Sequence, residues 1–555
     1  MGGMDFITLT LPNGQKTVPV RTKGIEILDS FAGDTSKIVA LKIDNEIVSL
    51  CRPIRVSSNV EPVFIDSPVG AELYRRSLSF VLAAASHKLF PAMRLSVGHS
   101  LRNAYYYTLD RDTPLSDYEI QSLEDEVRSM VERNIPIFTK HISYQEATEL
   151  FERLNLTETR RQLDYKCKPR FLVNMLSGID DFSDLYFGPL FASTGLLKVF
   201  ELLPYGGGFL LRFPDQKDHS ALAAFEDNPK IFEVCQSHKA WGKRVGVTSA
   251  ASLNEIIVNG AFNDYIDIVE TYQAQNYAAV AHHIHARGNV KVVLIAGPSS
   301  SGKTTSAKKI ALHLRALGYK PHVLSLDNYY VGRDRNPKDE NGNYDYECLE
   351  ALDIPLLNEN LCDLFDGKTV SIPSYNFDTG SRFYTGETMS LGPQDILICE
   401  GIHALNDRLT PHVKGEYKFK IYLSALTLLN FDDHNKISTS DNRLLRRIVR
   451  DANFRGKPAA GTIAMWESVK KGERLHIFPF QNNADAVLNT ALEYEIPVLK
   501  VYVEPQLRTI KPSEPEYTEA CRLLRFLSNF NAAPSDYVPR QSIVREFIGG
   551  SDFTY

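Results

Sequence analysis

The feature that most constrains the fold of this chain is a short apolar run that leads directly into a glycine-rich loop. The run is Val292 to Ala296, and the residues that follow, Gly297 to Thr304, have the spacing G-x-x-x-x-G-K-T. With this spacing, backbone N–H groups turn toward a phosphate, the lysine supplies a mobile positive charge and the threonine hydroxyl can hold Mg2+. The amphipathic stretch around Ser306 predicts a helix whose positive end adds to the same site. The sequence therefore predicts a P-loop that binds a nucleoside triphosphate.

Composition and cysteine usage set the broad class of the protein. A chain of 555 residues is long enough for about three or four domains. Its hydrophobic content of 43% is that of a globular protein, and its net charge of −6 argues against a broad surface for nucleic acid. The seven cysteines are scattered without a C-x-x-C pair, and the chain has neither a long apolar segment nor a basic leader. We therefore expect a cytoplasmic protein that neither spans a membrane nor is secreted.

Changes in the apolar pattern divide the chain into five segments. Residues 1–65 alternate apolar and polar positions around tight turns, which predicts a small β-rich module. Residues 66–235 predict an α+β domain, and residues 236–289 predict a helical connector. Residues 290–505 alternate apolar strands with helices, which predicts a parallel sheet covered on both faces. Residues 506–555 carry one predicted helix and a tail. The five segments together predict a multi-domain protein with α+β and α/β parts.

The strand ends of the parallel sheet are the places where ligands bind in such folds. The predicted strands are 292–296, 322–326, 396–399, 419–423 and 498–503. Asp327 follows the second of these strands, and Glu400 follows the third. A carboxylate at either position can activate a substrate hydroxyl or hold Mg2+, directly or through water.

A basic segment follows the fourth predicted strand. Four of its arginines share one face if the segment is helical, and like charges on one face repel unless an anion lies between them. These are Arg443, Arg446, Arg447 and Arg450. Because arginine forks match phosphate oxygens, we predict a lid that clamps phosphate during transfer. A solvated basic helix or an RNA-binding stripe is the alternative.

Six short motifs follow one another through the second half of the chain. They are Gly-Pro-Ser-Ser-Ser-Gly-Lys-Thr (297–304), Ser-Leu-Asp-Asn-Tyr-Tyr (325–330), Asn-Tyr-Asp-Tyr-Glu (343–347), Ile-Pro-Ser-Tyr-Asn-Phe (372–377), Glu-Gly-Ile (400–402) and Arg-Arg-Ile-Val-Arg-Asp (446–451). In this order they resemble the uridine kinase/phosphoribulokinase family. The resemblance implies a kinase that uses ATP and Mg2+ and phosphorylates the 5′-hydroxyl of a nucleoside.

The P-loop motif and the resemblance together imply roles for particular residues. The catalytic residues would be Asp327 as the base, with Lys303, Arg450 and Arg455 at the transferred phosphate. ATP would be bound by Gly297, Ser299, Ser300, Ser301, Gly302, Lys303, Thr304 and Thr305. The acceptor would be bound by Tyr330, Asp345, Tyr375, Phe377 and Arg447, and Mg2+ by Thr304 and Glu400. The sequence departs at Gly380, where uridine kinases carry a histidine that reads the pyrimidine edge. Another nucleoside, a sugar phosphate or pantothenate therefore stays open as the acceptor.

Four motifs of the first half point to a second family. They are Lys88-Leu89-Phe90-Pro91, Val97-Gly98, Asn103-Ala104-Tyr105-Tyr106-Tyr107 and Asp184-Leu185-Tyr186-Phe187-Gly188-Pro189. They resemble the amino-terminal region of threonyl-tRNA synthetase, which implies a TGS-like, ubiquitin-like module at 1–65 and an editing-like domain at 66–235. Editing in that family uses an H-x-x-x-H and a C-x-x-x-H pair. The aligned positions here carry Arg76, Phe80, Tyr186 and Leu190, so we expect neither a metal nor editing chemistry there.

Several functions stay open at this stage. The first half is either an RNA-binding, regulatory or oligomerising scaffold or a structural relic. We expect a small-molecule substrate, a homo-oligomer and no membrane partner. The rival from another class is a nucleotide-gated RNA-binding or translation-linked regulator whose ATP site acts as a switch. The intact motifs at Asp327 and Arg447 favour catalysis, because a switch needs no acceptor site.

Overall fold

A mixed five-stranded sheet forms the N-terminal module. The computed structural model of the protein describes residues 5–215, 218–338, 340, 342, 344–376 and 379–554. The first strands are β1 (Phe6–Leu11), β2 (Gly14–Pro19), β3 (Ile38–Ile43), β4 (Glu46–Ser49) and β5 (Ser58–Phe64). Their order is β2-β1-β5-β3-β4. Leu9 and Leu41 are fully buried on the face of this sheet. The β-rich module predicted from the sequence is thereby confirmed.

Two antiparallel sheets and a long helix make up the next region. Its elements are α1 (Pro68–Leu89), β6 (Leu95–Ser100), β7 (Ala104–Leu109), α2 (Asp117–Glu132), β8 (Ile137–Ser143), α3 (Tyr144–Arg153), α4 (Thr157–Asp164), β9 (Arg170–Leu176), β10 (Ile179–Asp184), β11 (Glu201–Tyr205) and β12 (Gly208–Arg212). The strands form the sheets β11-β12-β7-β6 and β10-β9-β8. Helix α1 is buried along most of its length, and Ser67 caps it by accepting from the Gly70 N–H at 3.0 Å.

Three helices join this region to the second half. They are α5 (Pro229–Val245), α6 (Ala250–Val258) and α7 (Phe262–Arg287). Helix α5 crosses residue 235, where the sequence pattern placed the end of the α+β domain. The five-part division of the chain stays a proposal. Helix α7 reaches the P-loop helix described next, where the hydroxyls of Tyr277 and Ser306 lie 2.8 Å apart.

A five-stranded parallel sheet organises the second half. Its elements are β13 (Val292–Ala296), α8 (Lys303–Ala316), β14 (Lys320–Ser325), α9 (Ile354–Phe365), β15 (Val370–Asn376), β16 (Ser381–Met389), β17 (Asp395–Glu400), β18 (Lys418–Ser424), α10 (Thr439–Phe454), α11 (Ala459–His476), β19 (Ala486–Asn489), α12 (Glu495–Leu507), α13 (Tyr517–Leu527) and α14 (Arg545–Ile548). The order is β14-β17-β13-β18-β19, with all neighbours parallel. Val293 and Ile295 pack in the core with α8, while Val292 and Leu294 pack in the core with α9. The predicted parallel sheet with helices on both faces is confirmed.

One predicted strand is wrong. Residues 498–503 belong to helix α12, and the fifth strand of the sheet is β19. Val498, Leu499 and Val503 are fully buried in the helix. A short apolar run does not distinguish a buried strand from a buried helix, and Pro497 lies in the first helical turn, where its missing N–H is tolerated.

The C-terminal segment is part of the same core as the second half. Leu523 and Phe526 of α13, and Phe547 of α14, pack with side chains of α10 and α12. No helix in the described part of the chain is both long and apolar enough to cross a bilayer.

Candidate active site

The P-loop between β13 and α8 depends on its glycines for close approach of the backbone. Ser300 and Gly302 have φ angles of +58° and +79°, in the left-handed region. A Cβ atom at Gly302 would lie 2.1 Å from Ile543 Cδ1, and one at Gly297 would lie 2.4 Å from Leu423 O. The backbone atom Leu423 O cannot move aside, and an L residue at Gly302 would be strained at its positive φ, so both positions favour glycine.

Polar groups of the loop are buried without a protein partner. Among the described residues, Ser300 Oγ and Ser301 Oγ have no hydrogen-bond partner. The Lys303 ammonium donates to Pro298 O at 3.3 Å, which leaves two of its three protons for another acceptor. Buried polar groups are normally satisfied, so this arrangement suits an anion.

Glu400 is the last residue of β17, which lies between β14 and the central strand β13. It is aligned with Ile295 of β13 and with Ser325 of β14. Thr304 Oγ1 donates to Glu400 Oε1 at 3.3 Å. Burial, together with the nearby charge of Asp327, raises the pKa of Glu400 to about 7. Hydroxyl and carboxylate oxygens are the ligands that Mg2+ prefers, so these residues fit that cation.

Asp327 follows β14 in a short 3-10 turn. Its backbone N–H donates to Ser325 Oγ at 3.4 Å. The carboxylate is open to the cleft, although surrounding protein atoms raise its pKa by partial burial. The charges of Lys303, Arg455 and Arg450 act in the opposite direction. Asp327 is therefore close to three of the cations that the sequence assigned to phosphate.

Two of the four arginines predicted to form a phosphate lid are instead held in buried ion pairs. Arg443 Nη2 donates to Glu473 Oε2 at 2.7 Å, and Arg446 Nε donates to Glu495 Oε2 at 2.6 Å. The two arginines and the two glutamates are almost completely buried. The carboxylates come from α11 and α12, which the local spacing of the arginines could not reveal.

The same two arginines, Arg443 and Arg446, donate hydrogen bonds to carbonyl groups of the P-loop. Arg443 Nη1 donates to Ser299 O at 3.0 Å, and Arg446 Nη1 donates to Ser300 O at 3.2 Å. Thr490 Oγ1 donates to the next carbonyl, that of Ser301, at 2.7 Å. Their role is thus to hold the loop in shape.

The other two lid arginines, Arg447 and Arg450, lie with Arg455 around a buried carboxylate, Asp451. Arg447 donates to Asp451 Oδ2 at 2.7 Å and to Ser299 Oγ at 2.8 Å, while Arg455 donates to Asp451 Oδ1 at 3.4 Å. Burial, with the charges of Arg455 and Arg447, lowers the pKa of Arg450 to about 10. In the described part of the protein, Arg450 Nε is buried and has no hydrogen-bond partner. This cluster is suited to an anion near Asp327.

Two of the predicted acceptor residues, Tyr330 and Tyr375, contact each other. The rings of Tyr330 and Tyr375 are 5.5 Å apart at 45°, and Tyr330 OH donates to Tyr346 O at 3.1 Å. Asp345 Oδ1 accepts from the Glu347 N–H at 3.0 Å. Phe377 lies outside the described residues. The binding roles of these residues stay predictions.

Three carboxylates of the cleft were missed by the sequence reasoning. Burial and the charge of Glu473 raise the pKa of Glu347 to about 7, while Lys303 and Arg447 lower it. Glu473 Oε1 accepts from the Ser299 N–H at 3.2 Å. Glu546 of α14 reaches the start of α8 from the C-terminal segment. Glu347 ends a quoted motif and could have been found, whereas the other two have no local signal.

The positions that align with the editing ligands do meet in the N-terminal half. The rings of Phe80 and Tyr186 are 5.6 Å apart, and Arg76 Nη1 donates to Pro189 O at 3.3 Å. The neighbouring Asp184 is buried and bonded to His434 at 2.7 Å between Oδ2 and Nδ1. A group from the second half therefore reaches this site.

His434 belongs to residues 429–437, which we call the docking segment. Its Asp433 carboxylate accepts from the N–H groups of Glu158 and Thr159 at 3.0 Å, at the start of α4. Asn435 Nδ2 donates to Leu185 O at 2.8 Å. The segment ends next to Ser438, which precedes α10. The first half thus holds the chain immediately before the arginine helix.

The parallel sheet, the P-loop and the carboxylates and arginines at its strand ends define a P-loop kinase. Residues 292–497 match the sequence profile of the Phosphoribulokinase / Uridine kinase family. The uridine kinase of Macrococcus caseolyticus (strain JCSC5402) is 32% identical over 198 residues, covering 36% of this chain and 86% of that kinase. The chain belongs to the phosphoribulokinase/uridine kinase family. The solved structure of a possible uridine kinase from Bacillus stearothermophilus is 20% identical and aligns with 39% of this chain and 98% of that kinase, with a TM-score of 0.27.

The N-terminal half is similar to part of a different enzyme. The threonine–tRNA ligase of Lawsonia intracellularis (strain PHE/MN1-00) is 31% identical over 184 residues, which are 32% of this chain and 27% of the ligase. The chain thus spans little more than a quarter of that ligase's length.

Proposed function

We propose that this protein transfers the γ-phosphoryl group of ATP to the 5′-hydroxyl of a nucleoside, and that its N-terminal half is not catalytic. The observation that carries the proposal is the meeting of Asp327, Lys303 and Glu400 at one edge of the sheet, beside an arginine cluster. Phosphoryl transfer needs little covalent chemistry from a protein and depends on positioning and charge neutralisation. The residues of the cleft are of the types that such a reaction requires.

Each residue has a defined task in this proposal. Asp327 accepts the proton of the acceptor hydroxyl, and Lys303 and Arg450 neutralise charge on the transferred phosphoryl oxygens. Thr304 and Glu400 would hold Mg2+, which would withdraw negative charge from the phosphates. Arg447 keeps Ser299 in place through its hydrogen bond at 2.8 Å.

A specific contact favours a second class of acceptor. A Cβ atom at Gly380 would lie 2.7 Å from Arg333 Nε, and Arg333 also influences Tyr375 electrostatically. A guanidinium beside the Tyr375 ring pairs with acceptor-rich groups such as a phosphate. A sugar phosphate is therefore the second candidate.

The N-terminal half acts as a scaffold in this proposal. Asp433 of the docking segment binds the start of α4, and His434 contacts Asp184 and Phe182. Side chains of the second half therefore occupy space beside the editing-like positions. Cytoplasmic location, a homo-oligomer and any contact with RNA stay predictions from the sequence.

The experiment is a measurement of ADP release by purified protein with ATP, Mg2+ and a panel of pyrimidine nucleosides, purine nucleosides and sugar phosphates. Asp327→Asn is assayed in parallel, and the phosphorylated product is identified by phosphorus NMR. We expect one nucleoside to stimulate turnover and the variant to lose about two to four orders of magnitude in rate.

Two outcomes would contradict the proposal. If only sugar phosphates stimulate ADP release, the acceptor is of the second class, and Arg333→Ala should raise its KM. If ATP binds and no acceptor stimulates release, the kinase proposal fails and an ATP-dependent switch takes its place. Binding of tRNA that changes with ATP would then support that switch.

A further inference from the structure

The C-terminal segment is packed firmly against the domain that carries the P-loop. Its short helix α14 is anchored by Val544 and Phe547, which are fully buried against the core that contains α10. Asn453 Nδ2 of α10 donates to Phe547 O at 3.2 Å, and the Arg446 guanidinium lies over the Phe547 ring at 5.2 Å. Burial of large apolar side chains makes this segment a fixed part of the domain.

Helix α14 directs one carboxylate into the cleft. Glu546 Oε2 accepts from Thr305 Oγ1 at 2.5 Å, and Glu546 Oε1 lies 3.8 Å from Arg450 Nη1. The Glu546 side chain is only 8% exposed. Beside it, Ile543 fills the space next to Gly302. Glu546 therefore contacts one residue assigned to ATP and one assigned to the transferred phosphate.

The distances show what Glu546 can do for Arg450. Its carboxylate and that of Asp451 lie 3.8 and 3.9 Å from the Arg450 guanidinium, beyond hydrogen-bonding distance. They attract the guanidinium without saturating its N–H groups. Arg447 and Arg455 repel Arg450, and the carboxylates of Glu546 and Asp451 offset this repulsion and help to hold it near the P-loop.

We propose that Glu546 is a positioning residue that holds Arg450 and Thr305 for phosphoryl transfer, so that the catalytic unit extends to the C-terminal segment. This inference rests on the proposed kinase function. It concerns a residue outside the 292–497 family match.

The test is a double-mutant cycle with Glu546→Gln, Arg450→Ala and the double variant. Glutamine keeps the size of the side chain and an acceptor for Thr305 but removes the charge that attracts Arg450. We expect Glu546→Gln to lower kcat about tenfold and to raise KM for ATP at most about threefold, because a displaced Arg450 loses its contact with the transferred phosphate. In the Arg450→Ala background, the same change should have almost no further effect on kcat.

Controls separate this role from a structural one. Asp536→Asn removes a charge from an exposed position of the same segment and should leave kcat unchanged. Glu546→Asp restores the charge on a shorter side chain and should recover part of the loss in kcat. Melting curves of each variant report whether the fold is intact.

The proposal is overturned if Glu546→Gln turns over like Asp536→Asn, or if its effect is the same with and without Arg450. A second readout applies if the wild-type protein phosphorylates none of the acceptors. Glu546→Gln should then weaken MgATP binding roughly threefold in the wild-type background and not in Arg450→Ala, because Glu546 acts on the phosphates through Arg450. Equal effects in both backgrounds would overturn the inference, separately from the failure of the proposed function.

Discussion

The P-loop cleft and the pocket that receives the docking segment are both built from buried charged groups, but they differ in how these groups are satisfied. In the pocket, Asp184 is bonded to His434, and Asp433 accepts from two N–H groups at the start of α4. In the cleft, Arg450 Nε and Ser300 Oγ are buried without a hydrogen-bond partner among the described residues. Since unsatisfied buried groups are unfavourable, the carboxylates of the docking contact are paired within the chain, whereas the anion-binding groups of the cleft are completed by a ligand. The docking contact is therefore a structural contact between the two halves, and the cleft is the site of chemistry.

The largest expected effect comes from removing the charge at the centre of the cleft. Lys303→Ala should lower kcat/KM by at least about three orders of magnitude, because phosphoryl transfer depends on charge neutralisation at the P-loop. The melting temperature should not fall, since a half-buried cation that repels its basic neighbours is removed from an unfilled site. Arg315→Ala, at an exposed position of the same helix, is the control for steady-state kinetics. If Lys303→Ala lost stability and kept its activity, the cleft would behave like the pocket, and the contrast between the two would be wrong.

A smaller effect is expected from breaking the buried pair in the pocket. His434→Gln should lower the free energy of unfolding by about 3 kcal/mol, because Asp184 is then buried without a cation. Because α10 follows the docking segment directly, kcat should fall only a few-fold. Urea unfolding and turnover measure the two effects, and His412→Gln, an exposed histidine, is the control.

The pH dependence of this loss has a definite sign. Burial lowers the pKa of His434, but the charge and hydrogen bond of Asp184 outweigh burial and raise it above 6.5. Stabilisation by the charged histidine is therefore complete below pH 6.5 and is lost as the pH rises through the raised pKa. The difference between wild type and His434→Gln should be largest in acid. A difference that grows with pH would mean that the pair is neutral.

A smaller effect again is expected at Glu400, where both stability and activity should change. Its pKa is raised from 4.5 to about 7, so its ionisation over that range destabilises the protein without ligands. Glu400→Gln should gain roughly 1–3 kcal/mol relative to wild type as the pH rises from 4.5 to 7. The same variant should require more Mg2+ for turnover. Thermal unfolding at a series of pH values checks the first effect, and a constant difference would refute it.

The smallest effect is expected at the edge of the cleft. Gly380 and Gly386 both have positive φ angles, but only Gly380 has a neighbour within 4 Å of an added Cβ atom, the Arg333 side chain. Alanine at either position should cost about 1 kcal/mol through backbone strain. Only Gly380→Ala should also raise the KM of the acceptor, by a few-fold, because Arg333 must move. Equal KM values for the two variants would mean that Arg333 does not face the acceptor.

Much of the fold was accessible from the sequence because its signals are local. The apolar run before the P-loop and the alternation of strands and helices predicted the parallel sheet, which the structure confirms. Residues 498–503 were assigned wrongly because a fully buried helix and a buried strand have the same apolar composition. The docking segment was not predicted, since its polar run resembles a surface loop.

The candidate site divides in the same way. Asp327 and Glu400 directly follow strands, so their position could be inferred from the geometry of parallel sheets. Arg443 and Arg446 could not be distinguished from phosphate ligands, because their partners Glu473 and Glu495 lie on other helices. Glu546 is 241 residues away from Thr305 in sequence, and only the fold brings the two together.

The contrast between cleft and pocket is tested most directly by acceptor-dependent ADP release of Asp327→Asn and Asp184→Asn in one assay with wild type. The account predicts that Asp327→Asn loses about two to four orders of magnitude in rate while keeping its melting temperature. Asp184→Asn should stay within about tenfold of the wild-type rate and melt earlier, because only the buried pair is broken. The reverse pattern, with Asp327→Asn active and Asp184→Asn inactive at full stability, would place the chemistry in the N-terminal half and contradict the account.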